Sequence, residues 1–180
     1  APDGFDRAVW STMARQGWLS ILVPEAAGGL GLGVDAAAVV AERLGYAGYC
    51  EPYTAAGVLA TTCIAAGVDG EARERYLPRI LDGSLLATVA WQSEEGTLSI
   101  DSTGVVETAV AATRTLRGTA RFVPVPSADV FVVAVRGSAG LSLYIVAHGA
   151  TGLGVRDEPL AGRAAPGRGP FEAVPVTDAH

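Results

Sequence analysis

Over the first eighty residues apolar positions recur every three or four places, the spacing that lines one face of a helix. Phe5, Val9 and Met13 form such a face, with Asp3 or Asp6 placed to cap its start and Gly17 placed just past its end. A short apolar run, Trp18 to Val23, stops at Pro24 and gives way to the loop Gly28-Gly29-Leu30-Gly31-Leu32-Gly33. Asp35 is expected to cap a second helix that carries Val39, Val40 and Leu44 and halts at Gly45. Pro52 suits the first turn of a third helix, Tyr53 to Ala66, which is apolar on most sides and therefore buried. Asp69 opens a fourth, with Tyr76, Leu77, Ile80 and Leu81 facing inward and Pro78 expected to kink or split it.

The pattern changes near Gly83. Short runs rich in Val, Thr and aromatic residues predict strands at Leu85 to Trp91, Val105 to Ala111, Arg121 to Val125, Val130 to Val135 and Leu141 to Val146. Gly137-Ser138-Ala139-Gly140 reads as a hairpin turn between the last two. Val155 and Phe171 to Val176 are weaker strand candidates, separated by a loose Gly-, Pro- and Arg-rich loop from Ala161 to Pro170. Helices followed by strands, without alternation, predict an α+β fold. The expected division is an all-helical domain over residues 1–83 and an antiparallel β-barrel or sandwich over 84–180. No internal repeat is evident.

Composition narrows the function. The 180 residues are 49% hydrophobic and 18% charged, which excludes intrinsic disorder. Thirteen basic against nineteen acidic residues give a net charge of -6, and no basic stripe is available to hold nucleic acid. Every basic residue is Arg. Without Lys, a Walker-type phosphate loop, a Schiff-base lysine and a Ser–Lys pair are excluded. The longest apolar stretch, Ala55 to Val68, is interrupted by Thr61 and Thr62 and falls short of the roughly 20 residues of a membrane span. Ala1-Pro2-Asp3-Gly4 lacks the positive start of an export signal, so the expected location is the cytoplasm, away from membranes. Cys50 and Cys63 have no Cys or His at metal-ligand spacing and read as buried thiols, with a disulfide left open. No metal site is expected.

Candidate chemistry is sparse. Gly31-x-Gly33-x-x-Ala36 satisfies a loose dinucleotide fingerprint, with Glu51 about twenty residues on as the ribose-binding acid. Pro24 and several further residues separate the glycines from the preceding apolar run, and no βαβ crossover follows, so a tight loop between helices is the better reading. His148 and His180 are isolated, and Ser142 has no nucleophile elbow around it. Glu94-Glu95 reads as a solvated turn, and Arg163 and Arg168 decorate a loop. The residues alone supply no self-sufficient catalytic constellation.

Four segments together resemble the acyl-CoA dehydrogenase family. Gly17-Trp18-Leu19-Ser20-Ile21-Leu22-Val23-Pro24-Glu25-Ala26-Ala27-Gly28-Gly29-Leu30-Gly31 is similar to that family's Gly-hydrophobic-Pro-Glu-x-x-Gly-Gly-x-Gly loop. The helix after it, Asp35 to Gly45 with Glu42 and Arg43, fits the usual sequel. Leu116-Arg117-Gly118-Thr119-Ala120-Arg121-Phe122-Val123-Pro124 resembles the middle-domain segment Leu-x-Gly-x-Lys-x-Trp-Ile-Thr/Ser, and Phe171 to Val176 the strand that leaves that domain. The resemblance implies an FAD-dependent enzyme that removes hydrogens from Cα and Cβ of an acyl-CoA thioester. A carboxylate takes the α-proton, the β-hydride goes to flavin, and hydrogen bonds hold the thioester oxygen as enolate character develops.

The resemblance also implies flavin contacts at Trp91, Gln92, Ser93, Phe122, Val123 and Pro124. Many relatives carry Leu-Thr-Glu-Pro and then Gly-Ser-Asp where this chain has Trp91-Gln92-Ser93-Glu94-Glu95-Gly96, and Gln92 falls where Thr contacts flavin. Phe122 replaces Trp and keeps an apolar ring. Pro124 replaces Thr or Ser and removes a hydroxyl and a backbone N–H. The family's third domain, a helical bundle with the catalytic carboxylate, would begin after His180, so the chain is expected to be a fragment or truncated relative without a catalytic base of its own. Homo- or hetero-oligomers with similar subunits are the expected partners. The alternative is a non-catalytic subunit or binding module that pairs with an active partner.

Overall fold

The computed structural model describes residues 5–67, 70–110, 113–138, 140–157 and 167–176, so Asp3, Asp69, Arg163 and His180 lie outside the described residues. The chain divides into two compact units, Ala1–Ala87 and Thr88–His180.

The first unit is helical. Helix α1 (Arg7–Arg15) starts at Asp6, whose carboxylate accepts from the Ala8 N–H at 2.7 Å, and ends at Gln16 with Gly17 left-handed at φ 77. Its buried face is Trp10, Met13 and Ala14, while Val9 is only half-buried. The Trp18–Val23 run forms a 3-10 turn, Trp18–Ser20, that buries Leu19, Ile21 and Val23. The glycine loop doubles back on it: Leu30 N–H donates to Ser20 O, Gly31 N–H to Val23 O and Leu32 N–H to Ile21 O, at 2.8 to 2.9 Å. Gly29 lies so close to the Val23 carbonyl that a Cβ there would collide with it. The glycines serve this close approach, and among the described residues no strand precedes them to aim a phosphate turn.

Helix α2 (Val34–Tyr46) differs from expectation at both ends. Gly33 is its cap, Asp35 sits in the first turn, and the helix runs through Gly45 to Tyr46. Only Ala37 and Leu44 are buried, and Val39 faces solvent. The third helix is two pieces, a π-helical stretch Tyr53–Ala60 and α3 (Thr61–Gly67), with Pro52 as the residue before it. The buried Thr61 hydroxyl donates to Ala56 O, five residues back, at 2.9 Å, which suits the wider π spacing. Helix α4 (Gly70–Leu81) is not split, since Pro78 sits inside it and Leu77 and Ile80 are buried on either side. Cys50 and Cys63 are free thiols, but Cys50 is exposed and Cys63 only half-buried. Cys50 falls in the non-helical link after α2, where no apolar neighbour pattern covers it.

The second unit is one sheet. Strands β1 (Ala87–Ala90), β2 (Val105–Val110), β3 (Thr113–Val123), β4 (Val130–Gly137), β5 (Gly140–Ala147), β6 (Arg156–Asp157) and β7 (Gly167–Val176) order as β1-β4-β2-β3-β7-β6, with β5 paired to β4. The β4–β5 hairpin closes at Gly137↔Gly140 as expected. The sheet is mixed: β2 meets β4 in parallel at Val106↔Arg136, whereas the resolved β2–β3, β3–β7, β4–β5 and β6–β7 ladders are antiparallel. β4 is an interior strand, paired to β1, β2 and β5, and Val130 to Val135 is one unbroken buried run. The core joins Val105, Leu116, Ala120, Val123, Phe131, Val133, Tyr144 and Val146. Two strand expectations move. The strand read at Arg121 to Val125 begins at Thr113, and residues 167–170, read as loop, belong to β7. Among the described residues no helix is long and apolar enough to cross a membrane.

Candidate functional site

The second unit carries an open cleft of about 490 Å³ lined by Ser93, Glu94, Glu95, Ser102, Thr103, Gly104 and Thr119. Three stretches of chain build it. After β1 the chain leaves the ladder at Gln92, which forms isolated bridges to Thr103 on one side and Arg121 on the other. The Arg121 N–H donates to Gln92 O at 2.9 Å, and the Thr119 N–H to Gly104 O at 2.9 Å. The Arg121–Gln92 bond joins the 91–96 and 116–124 segments across 29 positions of sequence, and the Thr119–Gly104 bond adds the 102–104 stretch.

Phe122 occupies an unusual position. Its φ is 53, the one left-handed non-glycine among the described residues. The β3–β7 register shifts between Ala120 and Val123, so the strand bulges there. The bulge turns the ring out of the core while Ala120 and Val123 stay buried. The ring lies against Gly96, itself at φ 65, and under the Arg121 guanidinium, 5.6 Å from its centroid. A left-handed aromatic costs about 1–3 kcal/mol and persists where its surroundings enforce it.

The six residues at which the resemblance implies flavin contacts separate here. Ser93 lines the cleft, and its Oγ is buried without a hydrogen-bond partner. Gln92 shapes the site through its backbone. Phe122 is 36% exposed beside the 93–96 turn, and Trp91 is half-buried. The Val123 side chain is in the core, and Pro124 is exposed at the strand end. Ser102, Thr103, Gly104 and Thr119 were missed. Their signal was a hydroxyl-rich stretch, Thr97 to Gly104, bracketed by glycines, and a Thr inside the Leu116–Pro124 motif.

Of the other candidates, Glu94 and Glu95 belong to the cleft lining and the rest lie elsewhere. Glu94 and Glu95 sit in a turn at its lip. The His148 ring pairs through Nδ1 with Ala128 O at 2.8 Å and packs on Phe131, a structural role on an exposed strand end. Ser142 pairs with Val135 across the β4–β5 ladder. Glu51 lies in the loop before Tyr53, next to no strand. No group of three metal-binding side chains occurs among the described residues.

The lining is polar, four hydroxyl side chains and two carboxylates. A buried unpaired hydroxyl, three further hydroxyls and a ring turned out of its sheet suit the polar edge and flat face of a conjugated heterocycle. The hydroxyls would suit the polar edge of a flavin ring, and Phe122, beside the 93–96 turn, its face, with the Glu94 and Glu95 carboxylates also in the lining.

Residues 1–84 match the family model described as acyl-CoA dehydrogenase, N-terminal domain. The chain is 30% identical over 152 residues to acyl-CoA dehydrogenase FadE27 of Mycobacterium tuberculosis (strain ATCC 25618 / H37Rv), covering 84% of this chain and 39% of the relative. A variant of the Tcur3481-Tcur3483 steroid ACAD aligns at TM-score 0.82 and 31% identity over 95% of this chain and 47% of that one. The ChsE4-ChsE5 complex from Mycobacterium tuberculosis aligns at 0.81 and 29% over 96% and 46%. An acyl-CoA dehydrogenase complexed with FAD from Bacillus anthracis shares the fold, with TM-score 0.82 and 22% identity over 94% of this chain and 31% of that one. The chain spans less than half the length of these relatives.

Proposed function

Since the chain belongs to the acyl-CoA dehydrogenase family, we propose that it forms the N-terminal helical part (residues 1–83) and the middle β part (84–180) of an FAD-dependent enzyme that introduces an α,β double bond into an acyl-CoA thioester. The observation that carries this reading is the junction of the 91–96 and 116–124 segments at the cleft, where Ser93 Oγ is left unpaired and Phe122 is turned outward. Those are the two segments through which the family resemblance places flavin contacts. Bound FAD supplies the acceptor for the hydride that leaves Cβ.

The chain's own residues bind and shape. Ser93 lines the cleft, and rotation of its unpaired hydroxyl toward the cleft would offer a hydrogen bond at the ring edge. Phe122 shields the neighbouring face from water, and the Thr119–Gly104 bond fixes the width of the cleft. Pro124 offers neither hydroxyl nor N–H, so that contact falls to other atoms. The α-proton is assigned to no described carboxylate.

A second reading is favoured by the two-component relatives, Tcur3481-Tcur3483 and ChsE4-ChsE5. In it the chain is an acyl-CoA dehydrogenase-like subunit that pairs with an active partner and contributes walls to a shared site. Incubation of the purified chain with FAD, followed by desalting and a visible spectrum, tests the first reading. Retained flavin absorption with weakened retention in Ser93→Ala supports it. No retention by the chain alone, with retention restored by a co-expressed related subunit, transfers the assignment to the second.

A further inference from the structure

We propose that Arg136 is a positioning residue for the cleft, acting through Asp101; the inference rests on reading the cleft as the flavin-binding site. Arg136 follows the six buried residues of β4 and is the point at which β4 pairs with β2. Its Nη2 donates to the Asp101 carbonyl at 2.8 Å and to Asp101 Oδ1 at 3.0 Å. Both bonds are charge-assisted, and together they fix the backbone and the side chain of one residue.

Asp101 lies in the short 3-10 turn Ile100–Ser102, where its N–H donates to Ser99 Oγ at 3.3 Å and the Ser102 N–H to Ser99 O at 3.0 Å. The residues that follow, Ser102 to Gly104, are one wall of the cleft. That wall is held from β3 by the Thr119–Gly104 bond and from Gln92 by the Thr103 bridge. On its other side the hold is Arg136. The approach to the turn has little apolar anchorage, since Leu98 is 82% exposed. Because the ion pair is itself exposed, it adds little to global stability. Its loss moves the wall and leaves the fold intact.

The experiment compares the full chain with Arg136→Gln and Arg136→Lys by three measurements: FAD titration by flavin fluorescence, thermolysin cleavage before Leu98, and the thermal midpoint. Arg136→Gln is expected to be cut several times faster at Leu98 and to bind FAD about two- to tenfold more weakly, the loss that one such hydrogen bond represents, at an unchanged midpoint. One nitrogen serves both acceptors, so Arg136→Lys is expected to recover most of the resistance and affinity. Cleavage at the unaltered rate overturns the proposal whatever the flavin result. Faster cleavage with equal FAD affinity overturns the positioning role. If the unaltered chain binds no FAD while Arg136→Gln is cut faster, the fastening of the wall stands and the flavin reading falls.

Discussion

The Phe122 ring is seated on the backbone of Gly96: a Cβ at Gly96 would stand 3.0 Å from Phe122 Cε2 and 3.4 Å from Cζ. Gly96 is also left-handed, at φ 65, a conformation that costs an L-residue roughly 1–2 kcal/mol. Both effects oppose a side chain there. Gly96→Ala is therefore expected to lower stability by about 1–2 kcal/mol and to displace the ring. Urea denaturation measures the first and FAD titration the second. Unchanged values in both would mean that neither the ring contact nor the left-handed backbone constrains position 96.

Phe122 itself joins strain to exposure, a combination that packing alone does not favour. Asn adopts the left-handed region far more readily than an aromatic residue. Phe122→Asn should relieve the backbone while losing a ring that is 36% exposed, so stability is expected to change by less than about 1 kcal/mol. Flavin affinity is expected to fall about three- to tenfold, the contribution of one aromatic contact. Separation of the two readouts marks a ring kept for binding. A loss of stability of about 3 kcal/mol, typical of a buried Phe, would instead assign the ring to the core.

The helix-then-strand order was legible because each half keeps one hydrophobic period. Details failed where another interaction outweighed the local signal. Asp35 reads as a cap, yet Gly33 takes that place and Asp35 sits one residue inside the helix. Gly45 reads as a stop, but it has open space around it and the helix continues for another residue. β3 was hidden because only Leu116 and Ala120 of its first eight residues are buried apolar groups; the rest of its polar, β-branched stretch is held by ladders on both sides. At the site, the resemblance pointed to two segments that the Gln92–Arg121 pairing brings together, but no sequence pattern foretells a bulge. The shift at Ala120–Val123 sends Val123 to the core and Phe122 outward, where a regular strand would have given the reverse alternation no special backbone.

The buried Tyr144 hydroxyl donates to Glu107 Oε2 at 2.9 Å, with Arg114 Nε 3.5 Å from Oε1 of the same carboxylate. Burial, and then the bond to Glu107, hold the Tyr144 phenol above its ordinary value near 10. The unfolded chain releases that proton first as pH rises. Stability from Tyr144 is therefore present below about pH 10 and is lost as pH climbs through the higher native value. Tyr144→Phe leaves a half-paired carboxylate and is expected to cost about 1–3 kcal/mol at pH 7. It should also flatten the alkaline limb of the stability profile without abolishing it, because buried Tyr53 is raised by desolvation too. Urea midpoints from pH 7 to 11 for both proteins test this, and parallel curves would remove Tyr144 from the alkaline transition.

Two helical glycines predict opposite outcomes for the same substitution. A Cβ at Gly57 would meet Leu19 Cδ2 at 2.9 Å, Tyr53 Cδ2 at 3.2 Å and Trp10 Cη2 at 3.5 Å. All three side chains are buried, so none can swing into solvent. Gly57→Ala is expected to destabilise by about 1–3 kcal/mol through overpacking. At Gly45, inside the last turn of α2, a Cβ meets nothing within 4 Å. Gly45→Ala is expected to stabilise by about 0.5–1 kcal/mol, because the unfolded chain loses more freedom than the helix does. Equilibrium denaturation of the two variants gives the sign directly. A stabilised Gly57→Ala would mean that the π-helical stretch has slack to move away from Trp10 and Leu19, and the close approach at that helix would no longer explain the glycine.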